Sequence, residues 1–409
     1  MLIILPFIIL LVPFVGLPIV LFDFIDSSKF RIISLISLSL FFAVMGYYFV
    51  PNVGTDLSRY FTNYVDYYRN FSSSIFWKQI ILSNPFFIVQ DMLFFVSSRF
   101  NTDQVLPFFT MFLVYGNGFF IIKWYSMINN LRRSIVLKMV LIFITIAPFS
   151  TLVNNIRNIL AVSIISLAIF LDMYLKKRNM YVLLLYLIGA SVHIAVIPVI
   201  VLRFFIGFLF SILHINFKLM ALNLSFLVIS TYVIVKFGLI ETLLSKANSY
   251  LSGGEGTELG EWFSAADSSG IQSVNKYSAF VMLLLITITL VLFIINKEEK
   301  TSSTFFSNEL NVLLIGVFCG VFFLIFRPGT TWFRYYMVFL FFIPLLFVQI
   351  LKLKEKLFKN MLLFSLFFYC LLMFIVQIYV LQSQTNIGTF VTNILGSPIW
   401  GFFKLRFIS

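Results

Sequence analysis

Charge is what this chain has least of. Only 11% of its 409 residues are Asp, Glu, Lys or Arg, where soluble domains carry about 25%. Acid is the scarcer sign: 16 acidic against 29 basic residues, for a formal charge of +13. The two cysteines, Cys319 and Cys370, lie inside apolar runs, which excludes a disulfide framework and a cysteine metal cluster. There is no His-Glu-x-x-His of a zinc hydrolase and no Gly-x-Ser-x-Gly of an acyl-serine enzyme. Gly253-Gly254-Glu255-Gly256 is not followed by the Gly-Lys-Ser/Thr that a phosphate-cradling loop needs, so it reads as flexible loop. No internal repeat is visible.

What is there is apolar. Hydrophobic residues make up 61% of the chain, and no stretch between apolar runs is long enough to bury its own core. The composition is that of an integral membrane protein built mostly of spans. The excess of basic residues sits in short loops, where it sets topology; it is no sign of nucleic-acid binding. Residues 2–22 lack a basic leader and a small-residue cleavage site and read as a retained first span, loosened by Pro6, Pro13 and Pro18.

A helix needs roughly 20 apolar residues to cross a bilayer. On that measure spans fall at about 2–22, 32–50, 105–125, 135–153, 156–175, two within 181–213, then 219–235, 277–295, 310–326, 335–351 and 361–381. The run 181–213 is too long for one crossing at about 1.5 Å per residue, and Gly189-Ala190-Ser191-Val192-His193 is the turn that splits it. The expected fold is an all-α polytopic membrane domain over 1–409 with about twelve transmembrane helices (11–13). Residues 51–84 form an aromatic and charged loop, and 236–276 a longer hydrophilic one. The short apolar run at 85–100, broken by Asp91, reads as a re-entrant or interfacial helix. Residues 382–409 are a tail. Twelve spans put Lys29/Arg31, Arg132/Arg133/Lys138 (with Lys123 beside them), Lys176–Arg178, Lys218, Lys297/Lys300 and Lys352–Lys359 on one side. The positive-inside rule makes that side cytoplasmic, and both termini then face out.

Polar groups gather on the other face. Asn154-Asn155-Ile156-Arg157-Asn158 interrupts two apolar runs, and on one helix Asn154, Arg157, Asn158 and Ala161 would share a face. An arginine at membrane depth costs at least about 2.5–3.5 kcal/mol and is tolerated where it meets water, a partner or an anion. It can also snorkel to the headgroups. The topology sends Asp56, Arg59, Asp66, Arg69, His193, Arg327 and Arg334 to the same surface, with Asp91 and Arg99. Several guanidinium forks together suit phosphate oxygens. Each group has a plainer reading. Arg327 and Arg334 flank a turn and can be anchors. His193 can be a structural histidine, although a group titrating near 6.5 is a usable base or donor. Asp56 can be the N-cap of a helix over 57–68. Tyr60, Tyr64, Tyr67, Tyr68 and Trp77 can line a sugar cleft or form an interfacial belt.

Four short stretches then carry a resemblance. Gly54-Thr55-Asp56 with Arg59-Tyr60 and Tyr64 follows the second span. Asn155-Ile156-Arg157-Asn158-Ile159-Leu160-Ala161 opens a later one. Ser191-Val192-His193-Ile194-Ala195 turns a hairpin, and Phe333-Arg334-Tyr335-Tyr336 comes late. Together they resemble the EpsG-like branch of the Wzy-type polysaccharide repeat-unit polymerases, over roughly residues 30–350. Asn158 stands where that family usually has glutamine.

The resemblance implies a C-type, metal-independent membrane glycosyltransferase without cofactors, making O-antigen, capsule or exopolysaccharide. Its donor is a growing glycan on undecaprenyl diphosphate and its acceptor a lipid-linked repeat unit. A chain-length-regulating co-polymerase is an implied partner. The setting is a bacterial inner membrane, with the active site facing the periplasm or outside. In that scheme Arg157 and Arg334, with Arg327, stabilise the departing diphosphate. His193 is base or donor, Asp56 the rival base, and Arg59 orients Asp56 or a phosphate. Asn154, Asn158, Tyr60 and Tyr335 join the substrate contacts. A lipid-linked oligosaccharide flippase fits less well, since a repeat and midplane charges are expected of it; an O-antigen ligase would be served by the same arginines and histidine and differs only in acceptor.

Overall fold

Two prolines set how the first apolar runs fold. In the computed structural model, residues 4–26, 30–83, 85–212, 308–325, 331–353 and 355–396 are described, and their regular elements are all helices. The first run is not one straight span. It is α1 (Leu5–Leu11) and α2 (Pro13–Phe24), parted at Val12. A residue before proline is pushed out of the helical region; Val12 sits at φ −142°, ψ 74°, and Pro13 opens the next helix, where its missing N–H costs nothing. The expected span at 135–153 breaks the same way. Helix α9 (Arg133–Ile146) stops, Ala147 turns out at φ −97°, ψ 80° ahead of Pro148, and the short α10 (Phe149–Asn154) follows.

The rest of the order is α3 (Ile32–Tyr48), α4 (Asp56–Tyr60), a π-helical stretch (Phe61–Val65) and α5 (Asp66–Arg69), then α6 (Ser73–Ser83), α7 (Ile88–Ser98), α8 (Val105–Ile128), α11 (Ile156–Ile169) with a π-helical end (Phe170–Tyr174), and α12 (Met180–Val192). After a 3-10 turn (Ile194–Val196) come α13 (Ile197–Ile212), α14 (Asn308–Ile325), α15 (Thr331–Leu351), α16 (Lys356–Gln384) and α17 (Ile387–Gly396). The segment expected as loop at 51–84 is thus largely helical. Of the described helices, four are long and apolar enough to cross a membrane: Val105–Ile128, Ile156–Tyr174, Arg334–Leu351 and Lys356–Gln384. Shorter apolar helices, α3 and α7 among them, accompany these. The spans expected at 219–235 and 277–295, the loop at 236–276, Arg327 and the end of the tail lie outside the described residues.

The chain divides into two units: Met1–Ile197 with Leu340–Lys352 and Cys370–Ser409, and Pro198–Phe339 with Leu353–Tyr369. In the first, α3 runs along α8, α11 along α8 and α12, and α1 and α2 cover α3. Small residues permit the closest approach, as expected of helices packed without a water-driven force. A Cβ on Gly46 would stand 2.6 Å from the Pro107 carbonyl oxygen. Phe42 stacks on Tyr115 with ring centroids 3.7 Å apart, at the centre of a Phe24–Phe119–Phe143 cluster. In the second unit the buried hydroxyls of Tyr336 and Tyr369 bond to one another.

Side chains at the helix ends of the first unit fall into two groups. At one end Arg31 pairs with Asp23, Arg133 reaches Asp26 at 3.2 Å, and the Lys177 ammonium lies over Trp124. Lys123, grouped above with the loop charges, is instead buried there and donates to the carbonyls of Phe24, at 2.7 Å, and Asp26. It caps the carboxyl end of α2, where a cation meets the helix dipole. At the other end the chain before α4 meets the close of α16: the Asn52 amide donates to the Ser383 carbonyl at 2.9 Å and the Thr385 hydroxyl to the Val50 carbonyl at 2.7 Å.

Candidate functional site

The residues at 154–161 do not lie on a single helix. Asn155 leaves helical geometry at φ −100°, ψ 40°, so Asn154 closes α10 while Arg157 sits in the first turn of α11. Consecutive asparagines permit the break, because their side chains compete for backbone groups: the Asn155 amide donates to the Thr151 carbonyl at 3.0 Å and does not cap α11. Asn154 turns to the tail, donating to Gln384 Oε1 at 2.7 Å and to the Ser150 carbonyl at 3.0 Å. Asn158 is buried on α11.

Arg157 sits among aromatics. Its Cζ lies 4.9 Å from the ring centroid of Tyr60 and 5.3 Å from that of Tyr64. Phe94, fully buried, stacks behind Tyr64 at 4.8 Å. The π-helical stretch that carries Tyr64 is a local widening of the kind found at functional sites. Gln90 Oε1 accepts from Arg157 Nη1 at 3.5 Å. Arg157 Nε is buried and has no hydrogen-bond partner among the described residues.

Helix α7 ties this together through two successive residues. The Val89 N–H donates to Ser191 Oγ at 3.1 Å, fixing the end of α12 two residues before His193. Gln90 holds Arg157. Asp91 follows on the same helix, near enough to Tyr68 and Arg157 for both to bear on its carboxyl. Burial lifts the Asp91 carboxyl above the usual carboxylate range, against the opposing pull of Tyr68 and Arg157. The Tyr68 hydroxyl is itself pushed up, by burial first and then by Asp91.

The remaining arginines of this layer are occupied. Arg59 pairs with Asp56 at 3.1 Å and donates to the Gly54 carbonyl. Arg69 bridges Asp66, at 2.6 Å, and Asp103. Arg99 donates to the Tyr68 carbonyl. Burial raises Asp103 in spite of Arg69, and burial lowers Arg99 with Arg69 adding to it. Among the described residues no carboxylate forms such an ion pair with Arg157. Nor do three or more His, Cys, Asp or Glu gather there as metal ligands.

Asp56 is not the cap of its helix. Thr55 is: its hydroxyl accepts from the Ser58 N–H at 3.3 Å, and Asp56 is the first helical residue, 39% exposed. His193 has extended backbone between α12 and the 3-10 turn, and its Nδ1 accepts from the Ala195 N–H at 3.0 Å. The structure therefore brings Arg157, Tyr60 and the His193 turn onto α7, and Asn154 onto the tail. Arg334 and Tyr335 open α15 in the second unit.

Gln90, Asn52 and Gln384 were not singled out from the sequence. Two uncharged amides and a residue assigned to the tail give no pattern to find. For Gln90 the one signal is the polar pair Gln90-Asp91 inside an apolar run.

A chain of apolar helices, four of them among the described residues long enough to cross a bilayer, defines a class: polytopic membrane proteins. The family follows from comparison. A model described as the EpsG family matches residues 30–390, and the chain belongs to that family. It is a membrane protein of the polysaccharide-polymerase type. No curated protein and no solved structure gives a match.

Proposed function

We propose that this protein polymerises undecaprenyl-diphosphate-linked oligosaccharide repeat units at the outer leaflet of the cytoplasmic membrane. A hydroxyl of the acceptor's terminal sugar attacks the donor's anomeric carbon, and undecaprenyl diphosphate departs. The observation that carries this reading is Arg157: a guanidinium held by Tyr60, Tyr64 and Gln90, which among the described residues has no ion-paired carboxylate and no partner for its buried Nε–H. Aromatic faces can hold a guanidinium while its in-plane N–H edge stays available to phosphate oxygens. The uncapped first turn of α11 adds positive potential at the same place. A preorganised cation in a partly dry site stabilises charge as the anomeric C–O bond breaks.

His193 acts here as a donor. With Nδ1 accepting from the Ala195 N–H, a ring in its neutral form carries its proton on Nε2. Arg334 and Tyr335, in the second unit, are assigned to the lipid-linked substrate on the resemblance alone, as is Arg327.

The test is Arg157→Ala. Purified variant given lipid-linked repeat units loses elongation by about 10²–10³-fold, as when one oxyanion donor is removed, and cells keep the protein in the membrane but show lipid capped with a single repeat. Arg157→Lys keeps the charge, loses the fork and stays well below wild type. Normal glycan ladders from Arg157→Ala would remove the anion site. Repeat units trapped on the cytoplasmic leaflet of a deletion strain would favour a flippase instead.

A further inference from the structure

We propose that residues 383–385, where α16 ends, clamp together the two segments that carry Tyr60 and Arg157, and that Gln384 is a positioning residue for the reaction. This rests on the polymerase reading and adds to it the group that fixes the guanidinium against its aromatic wall. By sequence alone the segment is only the start of the tail.

The clamp has a polar and an apolar half. The last carbonyls of a helix have no partner within it, and at the end of α16 Asn52 takes two of them. Its N–H donates to the Gln384 carbonyl at 2.8 Å and its amide to the Ser383 carbonyl at 2.9 Å. The buried Thr385 adds a bond from its hydroxyl to the Val50 carbonyl at 2.7 Å. From there the path to the site is short. The Asn52 carbonyl accepts from the Thr55 hydroxyl at 2.9 Å, Thr55 caps α4, and Tyr60 closes α4. The Gln384 side chain serves the other segment. Its Oε1 accepts from the buried Asn154 amide at 2.7 Å, just before the break at Asn155 that sets Arg157 in the first turn of α11. One glutamine thus holds one segment by its backbone and the other by its side chain. Further on, Phe390 of α17 repeats the arrangement with rings: it lies 6.1 Å from Phe49 and stacks at 6.0 Å on Phe149.

Both segments lead into the same contact. Arg157 Cζ lies 4.9 Å from the Tyr60 ring, and α10 packs on α4. A shift of either segment changes where the guanidinium edge points, and a charge-stabilising group works only where it is preorganised. Gln384 acts through Asn154 and Asn52. Loss of its side chain therefore reaches the transition state more than ground-state binding.

The experiment uses full-length protein in nanodiscs and lipid-linked repeat units extracted from a strain lacking this chain. Wild-type elongation is the control, and its absence would strike the polymerase reading rather than this one. Gln384→Met keeps the length of the side chain and removes the acceptor. It is expected to lower kcat by about 10–10²-fold, with KM changed less than about threefold. Added to Asn154→Ala it is expected to cost less than about twofold more, because residues that act through one bond are not additive. Thr385→Val, which loses only the bond to Val50, is expected to lower kcat by at least about threefold. Hydrogen exchange supplies a readout apart from activity: peptides over 50–69 and 150–161 exchange faster in Gln384→Met, while those of α8 keep their wild-type rates. The proposal is overturned if Gln384→Met keeps more than about a third of wild-type kcat, if its loss adds in full to that of Asn154→Ala, or if exchange rises alike in α8. Should Gln384→Met not reach the membrane, Thr385→Val decides, and wild-type turnover there overturns the clamp.

Discussion

A guanidinium between two tyrosines is held by forces that can be separated one atom at a time. Tyr64→Phe keeps the ring over Arg157 and removes the hydroxyl, whereas Tyr64→Ala removes both and leaves Phe94 facing a gap. Cation–π contacts contribute about 0.5–2 kcal/mol, so Tyr64→Ala is expected to cost roughly 3–30-fold in kcat/KM, measured as elongation of extracted repeat units, and Tyr64→Phe far less. Gln90→Leu is close in volume but cannot accept from Arg157. Small misplacements of a charge-stabilising group cost up to about 10²-fold, so it is expected to fall at least as far as Tyr64→Ala with the protein still in the membrane. Equal, near-wild-type rates for Gln90→Leu and Tyr64→Ala would mean that Arg157 is positioned by something else. These residues also show what a sequence can reveal. Arg157 stands out because a charge inside apolar sequence is costly, whatever its surroundings. Gln90 does not, because an amide in an apolar run carries no such penalty until its partner, 67 positions away, is known.

Breaks between elements follow local rules, while contacts between elements do not. Each interruption in the first runs occurs at a residue followed by proline, whereas α12 runs helically through Gly189–Val192, which the small residues had marked as a turn, and breaks only at His193. The break at Asn155 was less legible, since Asn154, Arg157 and Asn158 fit a continuous helix equally well by spacing. Tertiary bonds decide there: Gln384 draws Asn154 towards the tail. The closest helix pair gives a test at this scale. At Gly46 a methyl group would meet backbone, the Pro107 carbonyl oxygen at 2.6 Å, and backbone cannot rotate aside as a side chain can. Gly46→Ala is expected to cost about 1–3 kcal/mol of overpacking, read as a melting temperature lower by several degrees in detergent and less protein recovered from membranes. An unchanged melting temperature would show that α3 and α8 have more room than their glycine suggests.

At the scale of the whole molecule the issue is which end of the first unit faces outward. The two groups of helix-end contacts sort the chain as the positive-inside rule does. Asp23, Asp26 and Arg31 meet residues 123–133 and 172–178, which hold Arg133 and Lys177, at one end. Residues 50–69, 89–91, 154–157, 191–193 and 383–385 meet at the other. Three of the basic loops that the charge rule groups on one side thus also meet in the packing, and that rule holds because moving basic loops across a membrane is costly. The expectation is that the Arg157 end faces out. In a background with Cys319 and Cys370 replaced by alanine, Asn63→Cys and Ser134→Cys place one exposed thiol at each end. A membrane-impermeant maleimide added to spheroplasts should label Asn63→Cys and leave Ser134→Cys untouched until the membrane is permeabilised. The reverse pattern would turn the site towards the cytosol, and Arg157 would then meet lipid-linked repeat units before export, which fits a transporter and not a polymerase at the outer leaflet.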